Sequence, residues 1–241
     1  MNKYYLFVLF LPFLSFSQFK IEVEGALGFQ SYNEVRVPNE GGTKFDLTED
    51  FSIREPVIPF RTRIIYTFKE KNHFSALYAP LNVRYSGIAN EDLFFQNTQF
   101  SALEDIRANY QFNSYRLTYR RDVWKTDHWY LGLGLTAKIR DAKIRLSNGE
   151  NSDQITDLGF VPLIRFYLTY TKNKHQAIFE GDGLASTQGR AFDVFAGYQY
   201  LIDEHWSVKV GYRAVEGGAD VEDIYNFTWF HLATFGISYQ F

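Results

Sequence analysis

The sequence predicts an all-β protein: a transmembrane antiparallel up-and-down β-barrel of about 10 strands, with 8 and 12 as the neighbouring counts. Three observations point there. Segment after segment alternates between an apolar, aromatic face and a polar one, the period of a strand with two unlike environments. The alternating cores run about 9–11 residues, enough for a tilted strand to cross a bilayer and longer than the usual 5–6 of a soluble sheet. The links alternate between short turns and longer acidic stretches, the layout of a barrel with one turn side and one loop side.

Composition agrees with that class. Aromatic residues make up 19% of the chain, yet mean hydropathy is −0.27, too polar for a bundle of membrane helices. The 241 residues include no cysteine, so disulfides and thiolate chemistry are excluded. A net charge of −3 argues against a general nucleic-acid binder. The N-terminal "MNKYYLFVLFLPFLSFSQ" has a positive Lys3, a short apolar run and small residues Ser15 and Ser17, so residues 1–17 are expected to be a signal peptide. Residues 18–241 are then the barrel domain.

The expected lipid-facing residues follow in chain order. Ile21, Val23, Leu27 and Phe29 oppose Glu22 and Glu24; Ile58, Phe60, Ile64, Tyr66 and Phe68 oppose Arg61 and Arg63. Leu77, Ala79, Leu81 and Val83 are assigned outward, against Tyr78, Asn82 and Arg84. Tyr115, Leu117 and Tyr119 oppose Ser114, Arg116 and Arg120; Trp129 to Ile139, at every second residue, oppose Gly132, Gly134, Thr136, Lys138 and Arg140. Phe160, Ile164, Phe166, Leu168 and Tyr170 oppose Arg165, Tyr167 and Thr169. The weakest pattern, residues 175–185, sets Ala177, Phe179 and Gly181 against Ile178, Glu180 and Asp182. Phe192, Val194, Ala196, Tyr198 and Tyr200 oppose Asp193 and Gln199; Trp206, Val208, Val210, Tyr212 and Ala214 oppose Ser207, Lys209 and Arg213. Last, Trp229, His231, Ala233, Phe235, Ile237, Tyr239 and Phe241 oppose Thr228, Phe230, Leu232 and Thr234.

Four histidines, His73, His128, His175 and His205, each follow a short charged turn. Trp124, Trp129 and Trp206 flank such turns, so these seven residues are read as an interfacial girdle on the periplasmic side, with Trp229 marking the opposite interface. A metal site would need several of these histidines to converge on one ion, whereas their turns should be spread around the rim. Residues 31–56, 87–106, 147–157 and 217–225 are expected to be the outer loops.

The closing "TFGISYQF" ends on Phe241 with apolar or aromatic residues at alternate positions before it. This resembles the C-terminal signal of bacterial outer-membrane barrels, and with "SFSQ" at the processing site the chain resembles small outer-membrane β-barrel proteins of the Bacteroidota type. The resemblance covers nearly all of residues 18–241 and is one of architecture. It implies residence in the bacterial outer membrane, contact with outer-membrane lipid, and recognition of the Phe241 strand by the barrel-assembly machinery.

Templates for barrel enzymes fit poorly. A His-x-Ser arrangement of the lipid A deacylase type fails because Ala233 follows His231. Asp182 and Asp193 could form one pair of the omptin protease type, but His231 points at lipid by parity and the other four histidines sit at the wrong end. No Ser–His pair of the phospholipase type can be assembled. The Gly-rich acidic stretches 180–193 and 211–223 match neither a phosphate loop nor an EF-hand, so no cofactor or metal site is assigned; a looser acidic calcium site in the outer loops stays open.

The remaining signal is the interior. Charges avoid lipid, so Arg84, Arg116, Lys138, Arg140, Arg165, Lys209 and Arg213 should meet Glu180, Asp182 and Asp193 in a lumenal network, beside Arg61, Arg63, Glu22 and Glu24. Such a lumen suits a closed scaffold that presents its loops to a partner. Its excess of arginine also suits a narrow path or pocket for an anionic solute, as in oligogalacturonate-type porins, although those have about 12 strands. A lipid-modifying or hydrolytic enzyme is the third reading.

Overall fold

The computed structural model describes residues 18–241; the expected signal peptide lies outside them. Ten antiparallel strands form a closed wall, with no helix among the described residues. They are β1 (Phe19–Arg36), β2 (Phe60–Phe68), β3 (Asn72–Ala79, continued as Asn82–Ile88), β4 (Asp105–Lys125) and β5 (Trp129–Ser147). The second half comprises β6 (Ser152–Lys172), β7 (His175–Ser186), β8 (Gly189–Leu201), β9 (Trp206–Val221) and β10 (Ile224–Gln240). Each strand pairs with its sequence neighbours, and β1 closes the ring on β10 from Lys20↔Gln240 to Arg36↔Tyr225. Closure leaves the sheet no outer edge along most of its length, which is the condition for strands to live in lipid.

The wall sorts its side chains as the alternation requires. Leu27, Phe29, Leu117, Leu135, Ile164, Val210 and Phe235 are exposed outside, while Glu24, Arg63, Arg116, Arg165 and Arg213 are buried inside. One strand departs from the expected faces. In β3, Leu77, Ala79 and Val83 point inward, and Phe74 and Tyr78 take the lipid side. The segment is apolar at even and odd positions alike, so alternation alone carried no phase. Arg84 therefore faces out, beyond the break at Pro80–Leu81, and pairs with Glu55 at 3.2 Å.

The outer stretches are also not simple loops. Residues 147–157 and 217–225 are mostly strand, with turns only at their tips. The two longer stretches fold over the barrel mouth. Phe45–Asp46 adds to β1, Ser52–Ile53 adds to the upper part of β3, and Leu93–Phe95 pairs with Thr98–Phe100. They bring Val35, Val37, Phe45, Leu47, Phe51, Phe95 and Phe100 together with Tyr85, Ile106, Tyr110, Ile144, Leu146 and Phe230 in one buried apolar core. A bulge helps build it: the β1–β10 register skips Ser31, which shifts the phase of β1 so that Asn33 and Val35 turn inward. The barrel thus changes character along its axis. In the membrane it is apolar outside and charged inside; above the membrane, Arg107 and Arg145 face solvent while Ile106, Ala108, Ile144 and Leu146 face in.

Candidate functional site

Below the apolar cap lies a layer of charge. Five carboxylates and seven cations from seven strands meet there. Glu22 on β1 accepts from Lys20 at 2.8 Å and Arg63 at 3.4 Å. Glu24 accepts from Lys209 at 2.6 Å and Arg213 at 2.9 Å. Glu180 on β7 meets Arg165 and Arg63, the latter at 3.1 Å. Asp182 accepts from Arg116 at 2.9 Å, Arg165 at 3.3 Å and the Thr136 hydroxyl at 2.6 Å. Asp193 accepts from Arg61 and Arg116 at 2.8 Å each and from Arg213 at 2.7 Å. The pairs reach across the lumen, as Arg61 on β2 to Asp193 on β8 shows. Arginine suits this work because its planar fork donates to two carboxylates at once.

The structure brings Arg116, Arg165, Glu180, Asp182, Asp193, Lys209 and Arg213 together. Three residues expected with them stand apart. Arg84 is outside, as described. Arg140 lies higher, paired with Asp157. Lys138 faces the lumen and is buried, but among the described residues no carboxylate or hydrogen-bond acceptor meets its ammonium; it lies 4.6 Å from the centre of the Phe112 ring. Lys20 joins the layer unforeseen. It stands two residues before Glu22, and the inward parity of Glu22 and Glu24 was the available signal.

Of the turn histidines, three stand with outward aromatic rings. His128 lies 5.7 Å from Tyr170, His175 lies 5.5 Å from Tyr200, and His205 stacks at 5.6 Å on Tyr239. Trp124, Trp129 and Trp206 are exposed at the same end, and Trp229 lies near the other. His73 differs: it points into the lower mouth, where Nε2 meets Asp122 at 2.9 Å and Tyr130 at 3.1 Å. The β3 phase shift that turns Leu77 inward turns His73 inward as well. In the last of these turns the Asp203 carboxylate accepts from the Trp206 and His205 backbone N–H groups, which hold it below the usual carboxylate range.

Two further arrangements bear on chemistry. Asp182 and Asp193 are directly opposite in the β7–β8 ladder, but Arg116 bridges them, so neither is free to act as a base. A Ser–His pair does form, contrary to expectation. The bulge puts Ser31 Oγ 2.7 Å from His231 Nε2, and the Tyr212 hydroxyl meets Nδ1 at 2.5 Å. Sequence reasoning missed it because the partners lie 200 residues apart and depend on an unforeseen bulge. The trio sits on the outer wall between Phe29 and Trp229, and neither of the larger cavities is lined by it.

No protein-family model matches the sequence, and no curated protein matches it. Solved structures do. The outer membrane protease OmpT from Escherichia coli aligns with a TM-score of 0.57 and 12% identity, covering 92% of this chain and 97% of that one. The translocator domain of the autotransporter NalP from Neisseria meningitidis gives a TM-score of 0.47 and 11% identity, over 93% of this chain and 88% of that one. Ail, the attachment invasion locus protein of Yersinia pestis, gives 0.42 and 11%, over 93% and 99%. At these identities the likeness to OmpT is one of fold. With an apolar belt outside and a charge layer within, that fold defines an outer-membrane β-barrel. The belt has no soluble use; it seats the chain in a bacterial outer membrane.

Proposed function

We propose that this barrel is a non-conducting scaffold: its charge layer is a structural plug, and its outer end presents a folded cap to partners outside the cell. One observation carries the reading. All five lumenal carboxylates are ion-paired to cations on other strands, directly beneath an apolar core. A buried carboxylate that loses its partners is costly, so such a layer resists opening. In planar bilayers the unmodified barrel should be electrically silent. Steady anion-selective conductance would overturn the scaffold reading.

A second reading has its own support. Seven cations face five carboxylates, and Lys138 adds to the positive side. A narrow anion path would use that surplus, and replacing Arg116 by a neutral residue should then lower anion selectivity. For assembly, the proposed handle for the barrel machinery is the final strand, with Phe235, Ile237 and Phe241 exposed on its lipid side. Removing Phe241 should slow insertion without changing the stability of barrels already folded.

A further inference from the structure

β6 is unlike the other strands. It pairs with β5 along its length, from Ser147↔Ser152 to Trp129↔Tyr170. With β7 it pairs only from Ile164↔Gly183 down to Lys172↔His175. Above that point β7 stays with β8, through Leu184↔Ala191 and Ser186↔Gly189, and leaves β6 behind. One edge of residues 152–163 therefore has no strand partner among the described residues. Pro162 lies on this edge, where its missing N–H removes one donor that would otherwise go unpaired.

The lower part of this edge carries outward Leu158 and Phe160 and reaches the membrane; an open edge there is tolerated where it borders a cavity, and one of about 400 Å³ lies here, within the size range of small-molecule sites. Phe160, Val161, Pro162 and Leu163 all line it. Successive residues of a strand face opposite sides of the wall, so four in a row can border one space only if that space wraps around the strand's edge. The cavity runs from the lumen to the outside between β6 and β7. Its lips are apolar: Phe160 is 64% exposed, and Leu184 and Phe192 are exposed across the gap.

Lys138 lines its inner end, directly opposite Val161 in the β5–β6 ladder. This side chain is only 4% exposed, in a lumen where the cations of the layer below all have carboxylate partners. The neighbouring Arg140 and Arg190 are occupied by Asp157 and Glu216. Asp182 and Asp193 act on this ammonium only from a distance and the Phe112 ring is its near partner, so a buried cation that no carboxylate contacts is a place where an incoming anion gains a direct ion pair.

We infer that the wall opens sideways between β6 and β7 to admit a single-chain anionic amphiphile, whose acyl chain lies between the Phe160 and Phe192 lips and whose carboxylate or phosphate head meets Lys138. The site abuts the plug, whose Arg116 and Asp193 line the same cavity, but Lys138 takes no part in the plug's ion pairs, and the site stands whether or not ions pass below it. Laurate is the probe, with dodecylamine as a chain of equal length and opposite charge. Binding is read by native mass spectrometry of the barrel released from a non-ionic detergent. One laurate should bind per barrel, and dodecylamine should not compete. Lys138→Met should weaken laurate by about tenfold or more, the worth of a charge-assisted hydrogen bond. It should still fold, since it breaks no direct ion pair, and heat-modifiability on a gel checks this. Leu163→Trp, which fills the cavity without touching charge, should also block binding. Absence of laurate binding, equal binding of dodecylamine, or unchanged affinity in a folded Lys138→Met barrel would each overturn the inference. The source is read from barrels purified from their own membrane: a co-purifying lipid identifies the outer leaflet, and an empty barrel that takes up laurate identifies a free amphiphile.

Discussion

Glu180 is 1% exposed and lies within 4 Å of Arg63, Arg165, Lys209 and Arg213. Glu180→Gln removes the charge and leaves those cations uncompensated, at an expected cost of about 3–5 kcal/mol. Arg84→Ala removes an equally visible ion pair, but on an exposed surface, and should change stability by less than about 0.5 kcal/mol. Urea unfolding in detergent or lipid, compared side by side, checks both. The inward charges were legible in the sequence because lipid forbids the alternative. Their partners were not, since pairing across the lumen depends on how strand tilt brings β2 opposite β8. Position also decides Leu133→Arg and Thr136→Arg. Leu133 faces lipid, so arginine there should cost about 2–4 kcal/mol. Thr136 faces the lumen, but it is buried and donates to Asp182, so arginine there must displace part of the plug and should be no milder.

Among the elements, the cap is the one that the alternation did not reveal. Its apolar residues are sparse and set among acids and glycines, as in "KFDLTEDF" and "EDLFFQNTQF", and reach a common core only through chain reversals. Phe95 is fully buried there, so Phe95→Ala should cost the cap about 3–5 kcal/mol and admit protease to residues 40–50, leaving the membrane strands protected. Acid should loosen the same element. The Lys44 ammonium, 2.8 Å away, and the Tyr225 hydroxyl hold the Glu34 carboxyl below the usual range. Its folded pKa is thus below its unfolded one, so the stabilisation is complete above the ordinary carboxylate range and fades as pH falls through about 4. Proteolysis of the cap should quicken over that interval, and Glu34→Gln should remove the pH dependence.

At the scale of the molecule, the ten-strand count and the antiparallel ring were readable because a bilayer imposes one length and one alternation on every strand. β3 shows the limit of that reasoning. Where both faces are apolar, period two has no phase, and a single wrong phase moved Arg84, His73 and Leu77 to the wrong side together. The seam between β6 and β7 was unreadable for a different reason: partner strands of unequal length look alike in sequence whether or not they part company. The whole barrel should fractionate with the outer membrane and migrate differently on a gel before and after heating. Recovery as a soluble periplasmic protein would contradict the fold itself.

The reversal of faces along the axis gives the barrel a direction of travel. If the outer end is the last part to cross during insertion, Arg107, Arg145 and the cap residues pass through the hydrocarbon before their apolar partners can pack, because the residues of the cap core all lie beyond the membrane in the finished barrel. Once Phe45, Phe95 and Tyr110 have packed, the outer end is a small globule ringed by charge. Withdrawal would drag that ring back through lipid, at about 2–4 kcal/mol for each arginine reaching the midplane. The cap is the closed head of a rivet, and it is set from the far side.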